Sequence, residues 1–269
     1  MIDEAEISES VYNSNAIENS TLSLKETEKI LLEMEVSRNI SLREVFEAKN
    51  LARVMKYIEG KVSGLGLDTE IMLLLHKMLI TNINDDIAGR FRQKNEYVRV
   101  GTYIAPAPEH IERLLEEALS EYAYNLDEFL IDRIAKFHLD FEHVHPFVDG
   151  NGRIGRVLMN YQLLQNGFPV VIIRDSDKKY YYRAFRDYDT SGKTREMGKI
   201  VALAVMESLY KRITYLKGEQ IITLSDYARQ HKASSPALHN AAKRQTIPAF
   251  REKNVWKISS KFEYGKEST

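Results

Sequence analysis

His145-Pro146-Phe147-Val148-Asp149-Gly150-Asn151-Gly152-Arg153-Ile154-Gly155-Arg156 concentrates more chemistry than any other segment of this 269-residue chain. An imidazole, a hard carboxylate, a run of small residues and two guanidinium groups follow one another. Gly150-Asn151-Gly152, ahead of a helical pattern, sets up a helix N-terminus whose free backbone N–H groups and positive dipole end attract phosphate. Arg153 and Arg156, three apart, share one face of the first turns and can reach phosphate oxygens. Asp149 suits Mg²⁺, which usually takes one or two carboxylates plus substrate phosphates. His145, with an ordinary pKa near roughly 6.5, can take a proton from an attacking hydroxyl around neutral pH. Taken singly, each residue fits an ordinary turn. Structure alone does not require a base, a carboxylate and two arginines at this spacing. Phe147 is the exception, expected to bury its ring and pin the loop.

The rest of the chain frames this segment. With 38 basic and 39 acidic side chains the formal charge is −1, so no global field attracts nucleic acid or membrane. The absence of cysteine excludes disulfides, thiolate metal sites and a cysteine nucleophile. The acidic start Met1-Ile2-Asp3-Glu4 lacks a secretion pattern. The longest apolar run, Ile71 to Leu75, is far short of the roughly 20 residues of a membrane span. A cytoplasmic location is expected.

Most of the chain reads as helix. Ser23-Leu24-Lys25-Glu26 is a capping box followed by Ile30, Leu31 and Met34 near helical spacing. Asp68 can cap a helix carrying Ile71, Leu74, Leu75, Met78 and Leu79. Pro108 opens another carrying Ile111, Leu114, Leu115, Ala118 and Leu119. Phe129 to Phe141 delivers the chain to His145, and a helix from about Gly152 to Gln165 stops at Asn166-Gly167. Gly89 to Pro106 breaks the pattern: Tyr97, Val98, Val100, Gly101, Tyr103 and Ile104 among turn formers suit a short hairpin.

The twelve residues match HxFx(D/E)GNGRxxR at every fixed position and so resemble the signature of the Fic family. The resemblance covers roughly residues 8–210. It implies a mainly α fold with a short β-hairpin flap, and transfer of AMP from ATP to a Tyr, Thr or Ser hydroxyl of a target protein. His145 would be the general base. Asp149 would hold Mg²⁺, or Mn²⁺ in its place, on the α- and β-phosphates. Gly150, Asn151, Gly152 and Arg153 would bind the phosphates, with Arg156 on the γ-phosphate. The hairpin residues Tyr97, Val98, Val100 and Gly101 would form the flap that docks the target by strand addition. Tyr181, in Tyr180-Tyr181-Tyr182, would border the adenine. Asp189 stands where relatives frequently place an Asn. Relatives often form dimers.

Ser14-Asn15-Ala16-Ile17-Glu18-Asn19 resembles the family's inhibitory pattern (S/T)xxxE(G/N). Ser14 and Glu18 are four apart, one above the other on a helix. By resemblance Glu18 would pair with Arg156 and deny it to the γ-phosphate. The expected division is then residues 1–216, with an inhibitory helix at about 8–19, N-terminal helices at about 20–66 and a core at about 67–216, and a separate module at 219–269.

That module counts nine Lys/Arg against five Asp/Glu. Two short helices (Leu224 to Gln230, then through Leu238, Ala241 and Lys243) and two strands around Arg251-Glu252-Lys253-Asn254 look like a winged helix-turn-helix. His239, Lys243, Arg244, Arg251 and Lys253 are its candidate DNA contacts, and a protein-docking role is open beside it. A second reading of the whole chain follows: a DNA-binding regulator with the Fic-like part as nucleotide sensor. An intact base at His145 favours the enzyme, because a sensor needs none.

Overall fold

The computed structural model describes residues 2–37, 39–61, 66–101 and 103–263, with side chains from Glu6 onward. Two compact units divide between Val201 and Ala202.

The first unit is helical: α1 (Ile2–Ile17), α2 (Leu24–Glu28), α3 (Leu42–Lys61), α4 (Thr69–Ile80), α5 (Ile111–Tyr124), α6 (Leu130–Val144), α7 (Asn151–Gln165) and α8 (Lys178–Ser191). α2 runs on as a wider turn, Lys29–Glu33. Side chains start these helices where expected. Ser23 Oγ accepts from the Glu26 N–H at 3.2 Å while Glu26 returns a bond to the Ser23 N–H, and Asp68 Oδ1 accepts from the Ile71 N–H at 2.8 Å. α4 buries only part of its apolar set. Met72, Leu75, His76, Leu79 and Ile80 are buried while Leu74 is exposed, because His76 faces the loop after α6.

α7 is the axis of the unit. Twelve of its fifteen residues are buried, among them Ile154, Val157, Leu158 and Tyr161, with α1, α3, α4 and α6 packed against it. Full burial of each such side chain contributes about 1.5–3 kcal/mol, so the helix that carries Arg153 and Arg156 is held along its whole length. Its N-cap Gly150 has φ +85°, and a Cβ there would press on Leu79 and Ile80, so the position favours glycine.

The hairpin is shorter than expected. β1 (Arg99–Val100) pairs antiparallel with β2 (Tyr103–Ile104) around Gly101, at φ +59°; Tyr97 and Val98 precede the strands. Residues 90–96 form instead a turn closed by a bidentate Arg90–Glu96 pair, at 2.7 and 2.8 Å.

The second unit begins inside α9 (Arg195–Leu216), not at the expected Lys217-Gly218 turn. Its order is then β3 (Ile221–Thr223), α10 (Leu224–Gln230), α11 (Ser235–Lys243), β4 (Phe250–Glu252) and β5 (Val255–Ser259), with an antiparallel sheet ordered β3-β5-β4. Leu224, Tyr227, Leu238, Ala242 and Ile258 fill its core. The boundary moves because α9 belongs to this core chemically. Glu207 takes Arg251 at 2.7 Å, and Lys211 and Tyr215 reach Glu252. Arg251 also lies over the Trp256 ring. It is therefore a structural cation, not the free wing contact expected. Lys243 and Arg244 are exposed.

Among the described residues no helix is long and apolar enough to cross a membrane.

Candidate functional site

α6 ends on His145, whose φ of +49° is left-handed. A side chain in that region costs on the order of 1–2 kcal/mol, so something must hold it. Arg92 does. Its buried guanidinium donates to the carbonyls of His145 (2.8 Å), Val144 (3.2 Å), Pro106 (2.9 Å) and Glu96 (3.0 Å), and its N–H donates to Pro146 O (2.9 Å). A cation at a helix C-terminus also favours the dipole. Burial pushes the His145 imidazole down to about 4, so it is neutral at pH 7. Nδ1 lies 3.3 Å from Glu142 O. Donation of the Nδ1 proton there leaves Nε2 as the basic nitrogen.

The loop from His145 to Gly150 is stapled from three sides. Phe147 is fully buried and stacks on His76, ring centroids 3.7 Å apart and 6° from parallel. Asn151 closes the loop on itself: its Oδ1 accepts from the Phe147 N–H and its Nδ2 donates to Phe147 O, both at 2.8 Å. Thus the Asn151 side chain ties the loop, while the residue also lines the cavity. His76 accepts from the Gly89 N–H at Nδ1 (3.1 Å) and contacts Asp149 O through Nε2 (3.0 Å). Those partners place its proton on Nε2, and burial pushes it down to about 4.

The loop borders a polar cavity of about 220 Å³, lined by Asn15, Glu18, Arg43, Glu47, His145, Val148 and residues 149–153. His145, Asp149, the two glycines and Arg153 thus meet in one space. Burial disfavours the charge on Asp149, but Arg153 and Arg43 outweigh it and hold the carboxyl below its ordinary range. Among the described residues no group of three or more His, Asp or Glu could cage a metal. Asp149, which lines the cavity with Glu18 and Glu47, is a hard oxygen ligand of the kind that holds Mg²⁺ jointly with substrate phosphates.

Arg156 points elsewhere. It donates from Nη2 to Glu18 Oε1 (2.9 Å) and Ser14 O (2.8 Å), and from Nε to Ser14 Oγ (2.9 Å). Glu18 is not on the helix, contrary to the expected stacking. α1 stops at Ile17 and Glu18 opens a turn closed by Asn19 at φ +68°. That explains Asn or Gly at the pattern's last position, since both tolerate the left-handed region. The Glu18 carboxylate lies against Gly152, where a Cβ would collide with it. Lys178 and Tyr182 fasten this turn by donating to Asn19 Oδ1 (2.8 Å) and Ile17 O (3.2 Å). Behind Arg156, burial and then Glu18 push Glu142 up to about 8.

Tyr181 does not border the cavity. It is 1% exposed, its hydroxyl 2.6 Å from His138 Nε2 and its ring 5.9 Å from the Arg156 guanidinium, so it has no face to offer a base. Tyr180 beside it is exposed. Asp189 pairs with His143 Nδ1 (3.1 Å), whose Nε2 meets the Tyr103 hydroxyl (2.8 Å), fastening the flap to α6. Tyr97, Val100 and Ile104 stay exposed on that flap. The residues that sequence reasoning missed are Arg43, Glu47, His76, Arg92 and Glu142. None carries a local signal beyond being polar in a helical or turn segment.

Comparison with known proteins converges on the same region. Residues 66–163 match the Fic/DOC family. The chain is 29% identical over 252 residues to "Protein adenylyltransferase Fic" of Drosophila persimilis, covering 90% of this chain and 49% of that protein. It is 31% identical over 177 residues to the protein of the same name from Nematostella vectensis, covering 64% and 41%. It thus spans half or less of these relatives' length. Among solved structures, Fic-1 from C. elegans aligns with a TM-score of 0.69 at 27% identity, over 78% of this chain and 62% of that one. A Fic family protein from Desulfovibrio desulfuricans G20 shares the fold over 99% of this chain and 88% of its own, with a TM-score of 0.66 at 21% identity. The twelve-residue motif, the cavity it borders and the matched segment agree: this chain carries a Fic/DOC family domain.

Proposed function

We propose that this chain is a protein adenylyltransferase that moves AMP from ATP to a hydroxyl of a target protein, and that Glu18 holds it in check. The observation that carries the reading is one cavity shared by a neutral imidazole, a carboxylate and a helix N-terminus flanked by glycine. The relatives' name supports the same chemistry.

Phosphoryl-type transfer asks a protein mainly for positioning and charge neutralisation. His145 Nε2 takes the proton of the target hydroxyl as its oxygen bonds to the α-phosphorus. The bond from that phosphorus to the bridging oxygen breaks, and pyrophosphate leaves. Backbone N–H groups at Gly150 to Gly152 and the Arg153 guanidinium hold phosphate oxygens. Asp149 would carry Mg²⁺, which when bound offsets charge on the phosphates. The flap's open strand edge and its exposed Tyr97, Val100 and Ile104 suit an extended target segment.

Glu18 bears on this in two ways. It takes the charge of Arg156, and its carboxylate stands at the helix start where an anion would sit. A triphosphate meets a like charge there and lacks its outer cation.

The test uses ATP labelled at the α-phosphate, with Mg²⁺, on Glu18→Gly and on Glu18→Gly/His145→Ala. Label on self or target protein in the first and not in the second is expected. No label in either, or equal label in both, sinks the proposal.

A further inference from the structure

Arg43 and Glu47 lie one turn apart on α3, ahead of the residues 66–163 that match the family. Both line the cavity. Arg43 donates from Nη2 to Asp149 Oδ2 at 2.5 Å and from Nε to Glu47 Oε1 at 3.1 Å. Arg153 closes a ring: Nη1 is 3.1 Å from the same Glu47 oxygen, and Nη2 donates to Asp149 Oδ1 at 3.1 Å. Cations and anions alternate around it. The two arginines differ in one respect that decides their roles. The Arg153 side chain is 5% exposed and fixed, whereas that of Arg43 is 58% exposed. An exposed ion pair is screened by solvent and exchanges partners at little cost.

We propose that Arg43 is a polyphosphate-binding residue of the nucleotide site, parked on Asp149 until a metal-bound nucleotide arrives. Glu47 is the positioning residue that keeps Arg43 beside Arg153. This deepens the adenylyltransferase reading and rests on it. With two guanidinium groups on it, Asp149 is a poor site for a cation. A magnesium nucleotide brings a competitor for Asp149 and an anionic competitor for the arginines together. The exchange keeps charge balanced, since the carboxylate passes to the metal and Arg43 passes to phosphate oxygens. A planar guanidinium bonds carboxylate or phosphate through the same fork, so the swap needs no change of chemistry. Glu47, bonded to both arginines, stays as their anchor throughout.

Two binding measurements with opposite expected signs test this. In the Glu18→Gly background, Arg43→Ala should weaken magnesium–ATP binding by calorimetry about ten- to a hundred-fold, the worth of a charge-assisted contact, and leave adenosine binding unchanged. In the nucleotide-free protein, Arg43→Ala should strengthen binding of Mn²⁺ alone, read by electron paramagnetic resonance, because Asp149 loses a competitor. Arg43→Lys should fall between Arg43→Ala and the parent. Arg43 is exposed, so both variants are expected to fold, with circular dichroism as the check. A purely structural role would not move the two affinities in opposite directions, so a common direction overturns the proposal. Unchanged magnesium–ATP affinity in Glu18→Gly/Arg43→Ala also overturns it and leaves the enzyme reading standing. If Glu18→Gly itself binds no magnesium–ATP, that reading falls and takes this proposal with it.

Discussion

Arg156 and Glu18 stand 138 positions apart in sequence and 2.9 Å apart in space. Arg156 is buried on the central helix, while Glu18 sits, about a third exposed, at the end of the helix it terminates. Ser14 supplies two further acceptors to the same guanidinium. Removing the carboxylate therefore does not strip the cation bare. It leaves the cation with a free direction toward the cavity.

Glu18→Gly is accordingly expected to have two effects of opposite value. AMP transfer should rise at least about tenfold, as a charged contact of 1.5 kcal/mol or more is released from competition. Stability should fall by about 1–2 kcal/mol, toward the low end for a charged pair because the carboxylate is partly solvated. Urea denaturation and label incorporation on one protein sample check both. A rise in activity without any loss of stability would mean that the pair holds nothing together.

Ser14→Ala should act in the same direction and less strongly. It removes the acceptor for Arg156 Nε and leaves the Ser14 carbonyl and Glu18 in place. A gain of about two- to tenfold in basal transfer is expected for one such bond. Activity equal to wild type would assign Ser14 to folding of α1 alone.

As the proposed base, His145 is expected to set the acid limb of the pH profile. Its folded pKa, pushed by burial down to about 4, lies below the unfolded value near 6.5. Neutral imidazole thus persists down to mildly acidic pH, and transfer should stay level from about pH 7.5 to 5.5 before falling near pH 4. Linkage has a definite sign here. Between those two pKa values the unfolded chain binds the proton and the folded one does not. Stability is therefore lost as pH falls through about 6.5 to 4. His76, also pushed down to about 4, adds the same sign. His145→Asn should abolish transfer and flatten part of that loss in denaturation series at pH 7 and 5. An activity profile that turns over near pH 6.5 would show His145 to be an ordinary exposed histidine.

Arg92→Ala should be the costliest single change near the site that touches no substrate. It strands the carbonyls at the end of α6 and frees His145 from its left-handed conformation. A loss of about 2–4 kcal/mol is expected for a buried charged donor of this kind. In Glu18→Gly/Arg92→Ala, turnover should fall more than affinity for ATP, since the base is displaced and the phosphate cradle is not. Equal losses in both would place Arg92 in nucleotide binding instead.

Residues whose role rests on local chemistry were readable from the chain. Ser23 and Asp68 cap helices because a hydroxyl or carboxylate there reaches a free N–H within three residues. His145, Asp149, Gly150 to Gly152 and Arg153 share a cavity because a single loop and one helical turn bring them together. Tyr181 was misplaced for the opposite reason. An aromatic stripe on a helix does not reveal which face turns inward, and the packing of α8 puts this ring beneath Arg156.

Sequence by itself therefore determined the helical class and the grouping of His145, Asp149, Gly150 to Gly152 and Arg153 on one loop and helix start, since each is specified over a span no longer than a few turns. Tertiary structure alone decided what holds and opposes that loop: Arg92 reaches it across 53 positions, His76 across 73 and Arg43 across 106. Such contacts arise from helix packing, and packing is a property of buried faces meeting in space. No spacing along the chain encodes which arginine will face which carboxylate.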